Sequence, residues 1–406
     1  MRFQFIHAAD LHIDSPLAAL GAKDAAMAAT FAAASRKAVE RLIAETIDSG
    51  AKFLIIAGDV FDGDWRDVST GLFFVRELGK LHRAGLPTLI VRGNHDAESV
   101  ISRSLPYPPS VHVFDARKGH THLIEELRVA VHGRSFSERG APDDFLSGYA
   151  AKREGFLNVG VLHTSLDGAR GHNPYAPCTA ADLARFGYDY WALGHIHAPE
   201  IVARDPWIVF PGNVQGRSPR ETGPKGAVRV TVEDGRIVAV EPFALDAARW
   251  AHERVDVTGL SDEEAVLGKI ADALAAAQAA AEGRPLAIRL TLIGETPAHA
   301  ALVARREDLQ DEARSRGFAL AADCWVEKLR LETRAPATAA PSDPDALDIA
   351  GLIAAAANDP EFAALVGELA ASVADKLPRE LRSAFLESNP AAHAALARDL
   401  LLGARG

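Results

Sequence analysis

The sequence is poor in cysteine and has no long apolar run. Its 406 residues include two cysteines, Cys178 and Cys324, so a disulfide framework does not organise the fold. No apolar stretch approaches the roughly 18 residues that a membrane span requires, and the segment Met1–His7 becomes polar too early for a secretory signal. We therefore expect a cytoplasmic protein without membrane contacts.

The chain also lacks the excess of basic residues that is common in nucleic-acid-binding proteins. Lys and Arg number 44 and Asp and Glu number 55, so the formal net charge is -11. This balance counts against a nucleic-acid partner. Several acidic residues, however, stand in motifs of a metal-binding type, and two bound divalent cations would offset about four negative charges. Net charge therefore does not exclude a nucleic-acid substrate.

The composition and the length of the sequence indicate a folded chain of more than one domain. Hydrophobic residues make up 48% of the sequence and charged residues 24%, which excludes a disordered or collagen-like chain. At roughly 150 residues per domain, the length predicts two or three domains.

Short apolar runs alternate with helical patterns in the first part of the chain, and polar residues follow each run. Alternation of this kind predicts an α/β fold in which helices cover the faces of a layered sheet core. Ligands of open α/β sheets bind beyond the carboxyl ends of the strands, where these polar residues lie. The predicted strands cover residues 3–8, 53–57, 87–91, 157–162 and 188–193, and a hairpin at residues 228–240 follows them.

The pattern changes near residue 249. We predict a first domain at residues 1–248 and a smaller α+β domain at residues 249–334. Residues 335–345 have the composition of a linker, and residues 346–406 read as a helical tail with Ala and Leu on one face.

The polar residues at the strand ends form a set of oxygen and imidazole donors. Such a set suits manganese, iron or zinc better than a metal that selects thiolates. There are enough donors for two ions, and a carboxylate such as Asp59 can bridge them. A binuclear site of this kind polarises a phosphoryl group and activates a bound water. The set comprises Asp10, His12, Asp59, Asp62, Asn94, His95, Asp96, His163, His195 and His197.

Each motif is weak alone, but together and in this order they resemble a known family. Asp-Leu-His, Gly-Asp-Val-Phe-Asp, Gly-Asn-His-Asp, His-Thr-Ser and Gly-His-Ile-His are similar to the motifs of the calcineurin-like metallophosphoesterases. The similarity is greatest to the DNA repair exonuclease branch of SbcD-like and YhaO-like bacterial nucleases. It covers about residues 1–245 and implies a layered β-sandwich flanked by helices.

The resemblance also implies a role for each candidate residue. One metal would be held by Asp10, His12, Asp59 and His197, and the second by Asp59, Asn94, His163 and His195. In this assignment His95 binds no metal and acts as a transition-state stabiliser or as a general acid toward the leaving oxygen. Asp62 and Asp96 would orient the ligands. Of the metals that suit such donors, manganese is the one we expect.

A basic loop follows the last of these motifs. Arg217, Arg220 and Lys225 lie in a segment rich in Gly and Pro. They are candidates for contacts with DNA phosphates, because Arg binds phosphate in a bidentate manner. The alternative is a solvated loop whose positive charges pair with Glu221.

The resemblance implies a two-metal phosphodiesterase that acts on DNA as an exonuclease or endonuclease in repair. In similar nucleases the second domain caps the active site and positions DNA, and distal helices bind a coiled-coil ATPase. The helical tail here could take that docking role, pack on its own domain or mediate a homodimer.

Two alternatives remain open at this stage. A phosphomonoesterase or a cyclic-nucleotide phosphodiesterase would use the same chemistry, but such enzymes need neither a second domain nor a basic loop. A non-catalytic scaffold subunit of an ATPase complex belongs to another class. The intact His95 argues against a scaffold, because a degenerate enzyme has no reason to keep a histidine that binds no metal.

Overall fold

The computed structural model describes residues 1–15, 25–62, 68–98, 105–137, 145–166 and 176–336. Most of the linker and the tail therefore lie outside the described residues. Of the tail, six isolated positions between 355 and 372 are described, and five of them are helical. No helix in the described part of the chain is long and apolar enough to cross a membrane.

Two six-stranded mixed sheets form the core of the first part of the chain. The first sheet has the strand order β12-β11-β1-β2-β3-β4, and the second has the order β5-β6-β7-β8-β10-β9. The strands of the first sheet are β1 (Arg2–Ala8), β2 (Leu54–Ala57), β3 (Thr88–Val91), β4 (Val111–Val113), β11 (Gly226–Glu233) and β12 (Arg236–Ala244). Those of the second are β5 (His120–Ile124), β6 (Val129–Gly133), β7 (Leu157–His163), β8 (Tyr190–Gly194), β9 (Glu200–Arg204) and β10 (Trp207–Phe210).

The centre of each sheet is parallel. Strands β1 to β4 run in the same direction, as do β6, β7, β8 and β10, whereas β11, β12, β5 and β9 pair with their neighbours in the antiparallel sense. The carboxyl ends of the parallel strands therefore meet at one edge of each sheet. Because alternate residues of a strand face opposite sides, one set of apolar residues from both sheets fills the space between them, including Phe5, Ile55, Val159 and Tyr190.

Helices cover the outer faces of the sheets. The long helices α1 (Ala25–Asp48) and α2 (Val68–Arg83) bury Leu42 and Phe74 against the first sheet, and the short helices are α3 (Asn94–Glu98) and α4 (Ala180–Ala184). The predicted α/β sandwich is thus confirmed. The five predicted single strands are present within two residues of their expected bounds, and the second strand of the predicted hairpin extends four residues further, to Ala244. Strands β4, β5, β6, β9 and β10 were not predicted.

Apart from two short 3₁₀ helices, Glu125–Leu127 and Phe145–Gly148, the remaining described elements are three helices and a three-stranded sheet of order β13-β14-β15. They are β13 (Arg249–Asp256), α5 (Glu263–Ala280), β14 (Leu286–Glu295), α6 (His299–Ala304), α7 (Arg306–Leu320) and β15 (Cys324–Arg334). The chain divides into two compact units. The first comprises Met1–His252, Gln278–Ile288 and Asp323–Trp325, and the second comprises Glu253–Ala277, Arg289–Ala322 and the residues from Val326 onwards.

Candidate metal centre

The strands of both sheets end in residues with unusual backbone angles. Asp10, His12, Asp59 and His195 all have positive φ values, of 52°, 40°, 52° and 97°. This region is sparsely populated by residues other than glycine, and it is found where a fold forces side chains into a functional arrangement. The tight turn after each strand aims the next polar side chain back toward the neighbouring strand end.

The glycines of the motifs make room for the candidate ligands. A Cβ atom on Gly58 would lie 2.4 Å from Nδ1 of His163, and one on Gly93 would lie 2.2 Å from Oδ1 of Asp59. Neither position can hold a side chain without moving a candidate ligand. The Gly-Asp and Gly-Asn-His-Asp motifs therefore need glycine because of the close approach of a ligand from another strand.

The first cluster of candidate ligands consists of Asp10, His12 and His197. One donor atom from each lies within 4.8 Å of the others. Nε2 of His12 is 3.2 Å from Nε2 of His197, and that nitrogen is 4.0 Å from Oδ1 of Asp10. These side chains come from the ends of β1 and β8, which belong to different sheets.

The second cluster consists of Asp59, His163 and His195. Their donor atoms also lie within 4.8 Å of one another, and all three residues are buried. Nε2 of His163 is 3.3 Å from Nδ1 of His195 and 3.0 Å from Oδ1 of Asn94. The structure thus brings all seven predicted ligands to one place.

Asp59 lies between the two clusters. Its Oδ2 atom is 3.3 Å from Nε2 of His163 in the second cluster and 3.9 Å from Nε2 of His12 in the first. Burial disfavours ionisation of this carboxyl, but the imidazoles of His163 and His12 hold its pKa well below the usual range. One ionised oxygen therefore faces both groups of imidazoles, as a bridging ligand would.

Hydrogen bonds behind the histidines orient three of them for metal binding. Nδ1 of His12 is 2.6 Å from Oδ1 of Asp62, Nδ1 of His197 is 2.8 Å from Oε1 of Glu221, and Nδ1 of His163 is 2.9 Å from the carbonyl of Ala57. When Nδ1 donates its proton outward, Nε2 presents a lone pair to the cluster.

Unprotonated nitrogens at about 3.2 Å repel each other unless a cation lies between them. The donors, their tautomers and their mutual distances therefore fit two divalent ions. With no ion bound, burial lowers the pKa of His163, but the carboxylate of Asp59 outweighs burial and raises the pKa to about 9.

Asp96 lies behind the clusters and connects two of the ligand loops. Its carboxylate accepts hydrogen bonds from the backbone N–H groups of Val60, Phe61 and Gly93 at 3.0–3.1 Å. Burial, with the charge of Asp59 in addition, raises the pKa of Asp96 above its usual range. The side chain thus fixes the loop that carries Asp59 against the loop that carries Asn94.

His95 lies beside the clusters and is accessible. Its backbone N–H donates to Oδ1 of Asp59 at 3.1 Å, whereas its imidazole is 35% exposed. Nδ1 of His95 is 3.8 Å from Oδ1 of Asp62. The imidazole of His95 is therefore accessible to a bound substrate. His95 belongs to neither cluster of donors.

The three basic residues of the loop have different positions. Arg220 is exposed, whereas Arg217 is partly buried and its guanidinium lies 3.3 Å from Asp62 and 3.2 Å from Oγ of Ser15. Lys225 is buried, and its ammonium donates to the carbonyl of His197 at 3.1 Å. Burial lowers the pKa of Lys225. Lys225 thus holds the ligand loop from within, and its contact with DNA phosphates stays a prediction.

Sequence reasoning missed the role of Glu221. It expected this residue only as a partner of the basic side chains, and Glu221 does accept the backbone N–H of Arg217 at 2.7 Å. Its second oxygen, however, binds His197. Although Glu221 is largely buried, the hydrogen bond from His197 lowers its pKa to about 2. No spacing in the sequence distinguishes this role, because Glu221 lies 24 residues after its histidine.

Comparison with known proteins places these residues in a family context. Residues 3–199 match the calcineurin-like phosphoesterase family, and residues 250–334 match the middle domain of metallophosphoesterase YhaO. The chain is 32% identical over 297 residues to the uncharacterized metallophosphoesterase YhaO of Bacillus subtilis strain 168, and the match covers 72% of each chain. It is 27% identical over 214 residues to the DNA double-strand break repair protein Mre11 of Methanopyrus kandleri, covering 48% of this chain and 44% of that protein.

Proposed function

The chain belongs to the calcineurin-like phosphoesterases, and on that premise we propose that it hydrolyses phosphodiester bonds of DNA with the help of two divalent cations. That it is a metal-dependent phosphoesterase follows from the family. That the substrate is DNA is the more specific part of the proposal. It rests on the similarity to an archaeal double-strand break repair protein and on an exposed arginine beside the site.

The observation that carries the two-metal chemistry is the position of Asp59 between two clusters of donors. Asp10, His12 and His197 would hold one ion, and His163, His195 and Asn94 would hold the other, with Asp59 common to both. When bound, a pair of divalent ions supplies Lewis-acid polarisation of a phosphoryl group and an activated water. Manganese is the proposed metal, and the same donors also accept iron or zinc.

The side chains around the ligands divide the remaining tasks. His95 is the accessible imidazole, so it is placed to hold a proton against the leaving oxygen or to stabilise charge that develops there. Asp62 and Glu221 fix the tautomers of His12 and His197. Arg217 lies next to both carboxylates and links these two orienting groups.

A phosphomonoesterase or cyclic-nucleotide phosphodiesterase is the second candidate, and one observation favours it. Of the three basic residues predicted to contact DNA, Arg220 alone is exposed, because Lys225 is buried and Arg217 is engaged with Asp62. A short substrate would need no more than the metals and His95. The coiled-coil ATPase partner, the homodimer and the cytoplasmic location stay predictions.

Substrate preference tests the proposal directly. The purified full-length protein, supplied with Mn²⁺, should cleave single- or double-stranded DNA and a chromogenic phosphodiester, and it should hydrolyse a chromogenic phosphomonoester more slowly. EDTA should abolish all cleavage. The His95→Asn protein, purified in parallel, shows whether a contaminating nuclease contributes. If the monoester is the preferred substrate, the small-ester alternative is correct. If none of these substrates is hydrolysed with Mn²⁺, Fe²⁺ or Zn²⁺, the scaffold alternative gains support.

A further inference from the structure

Three histidines from the edge strands of both sheets meet at the open edge of the sandwich. Strand β4 is the last strand of the first sheet and β5 is the last strand of the second. His112 lies on β4, and His120 and His122 lie on β5. None of the three belongs to the two clusters of candidate ligands described above.

The alternation of strand residues places all three on the inner faces. His112 shares its face with Phe114 two residues later, and His120 and His122 share theirs with Ile124. Phe114 and Ile124 both belong to the core between the sheets. The imidazoles therefore face each other across the edge, where an apolar pair would otherwise close the core.

The rings lie close to one another, and one buried ring nitrogen has no hydrogen-bond partner among the described residues. The ring centre of His112 is 4.6 Å from that of His122 and 5.4 Å from that of His120. Nε2 of His112 is buried and has no hydrogen-bond partner among the described residues. Burial and the two neighbouring imidazoles lower the pKa of His112 to about 4, and burial also lowers that of His122. Near neutral pH these two rings are uncharged and can donate lone pairs.

We propose that His112, His120 and His122 form a second type of metal site, which takes a single ion of the zinc class. Neutral imidazole is a preferred ligand of zinc, nickel and copper. Zn–N bonds of about 2.0–2.1 Å put the centres of two imidazoles on one ion about 5 Å apart, which is close to the separations of His112 from His120 and from His122. The donor atoms of these three rings do not all lie within 4.8 Å of one another, so binding requires rotation of the side chains, which the exposed His120 permits.

A carboxylate near His122 is the candidate for a fourth donor. Glu126 lies close enough to His122 for its charge to raise the pKa of that histidine against the effect of burial. Three nitrogens and one carboxylate oxygen, or a water in its place, make the tetrahedral set typical of zinc. An ion bound here joins the edge strand of one sheet to that of the other. It therefore stabilises the fold and takes no part in phosphoester hydrolysis.

Zinc stoichiometry tests the site without reference to activity. The metal-free full-length protein is dialysed at pH 7.5 against buffered Zn²⁺, and the bound zinc is measured by elemental analysis. The His120→Gln and His122→Gln proteins should each bind one zinc ion fewer than the wild type. His82→Gln, which alters an exposed histidine outside the cluster, should bind as many as the wild type. The comparison is a difference, so it does not depend on how many ions the phosphoesterase centre holds.

Thermal unfolding and activity complete the test. Zn²⁺ added to wild-type protein whose phosphoesterase centre is already filled should raise the unfolding midpoint, and this increase should be smaller in His120→Gln. Hydrolysis of a chromogenic phosphodiester with Mn²⁺ should be the same in His120→Gln as in the wild type. Equal zinc content in the wild type and both variants overturns the proposal. A loss of zinc in His82→Gln as large as in the other two also overturns it.

Discussion

Glu221 accepts a hydrogen bond from Nδ1 of His197 at 2.8 Å, and the same carboxylate accepts one from the amide of Asn213 at 2.9 Å. The glutamate therefore fixes the tautomer and the direction of one candidate metal ligand while Asn213, which is buried, fixes the glutamate. With a metal bound to His197, this carboxylate would orient the ligand and raise its basicity, as carboxylates behind histidine ligands do in metalloenzymes.

Replacement of Glu221 should weaken metal binding without removing a ligand. We expect Glu221→Ala to lower the affinity of the first site by about 10–100-fold, which is the usual effect of losing such a partner. Glu221→Gln should lose less, because the amide oxygen can still accept the hydrogen bond. Titration with Mn²⁺ measures both effects, with exposed Thr222→Ala as a neighbouring control. Unchanged Mn²⁺ affinity in Glu221→Ala would show that His197 needs no such partner.

Asp59 is expected to hold both ions. In Asp59→Asn the charge between the two clusters is lost, so both metals should be lost together. The fall in hydrolysis should exceed the roughly 10–100-fold expected for a positioning residue such as Glu221. Elemental analysis and a phosphodiester assay report the two effects, and Asp48→Asn at the exposed end of α1 is a matched control. If Asp59→Asn keeps two metals and normal activity, the binuclear assignment is wrong.

His95 should separate metal binding from chemistry. Because its imidazole belongs to neither donor cluster, His95→Asn should retain the metal content of the wild type. Hydrolysis of a chromogenic phosphodiester should slow by about 10²–10⁴-fold, the range for a positioned acid or base. A parallel loss of bound metal would make His95 a ligand and not a proton donor.

The candidate ligands could be predicted because their signals are local. Each is a polar residue that follows a short apolar run and a tight turn, as in Gly58-Asp59 or Gly194-His195. The parallel order of the central strands then brings these ends together. The same local logic gives the central strands, whose apolar runs are continuous because both of their faces are covered.

Edge strands and buried polar residues could not be predicted in this way. Strand β4 has three residues and β9 is only partly buried, so neither has the apolar run that marks a central strand. Lys225 has a charge that suggests exposure, yet tertiary packing buries it and supplies the carbonyl of His197 as its partner. Such partners come from distant parts of the chain, so the spacing of residues in the sequence does not predict them.

His7 should make the stability of the protein depend on pH. It is fully buried in β1, with Nδ1 3.0 Å from the hydroxyl of Tyr190 and Nε2 3.1 Å from the carbonyl of Leu193, and burial lowers its pKa to about 3. Between pH 6.5 and 3 the unfolded chain binds a proton there and the folded chain does not. The free energy of unfolding should therefore fall as the pH falls, by about 2 kcal/mol from this residue between pH 7 and pH 5.

Urea unfolding at the two pH values checks this contribution. The decrease in His7→Gln should be smaller than in the wild type by about the same 2 kcal/mol, because an amide can keep both hydrogen bonds but does not titrate. An identical pH dependence in the two proteins would show that His7 does not remain neutral in the fold.

Arg220 provides the last test, which distinguishes DNA from small phosphate esters. Its side chain is exposed, so Arg220→Ala removes a positive charge without disturbing the ligand network. If the arginine contacts a DNA phosphate, the dependence of log K on log salt concentration should become shallower by about one unit. Hydrolysis of a small phosphodiester should not change, since that substrate does not reach beyond the metals and His95. Arg236→Ala, at the exposed start of β12, changes the net charge equally and should leave the salt dependence unaltered. If both substitutions change the salt dependence equally, Arg220 acts only through the overall charge of the protein and makes no specific contact with DNA.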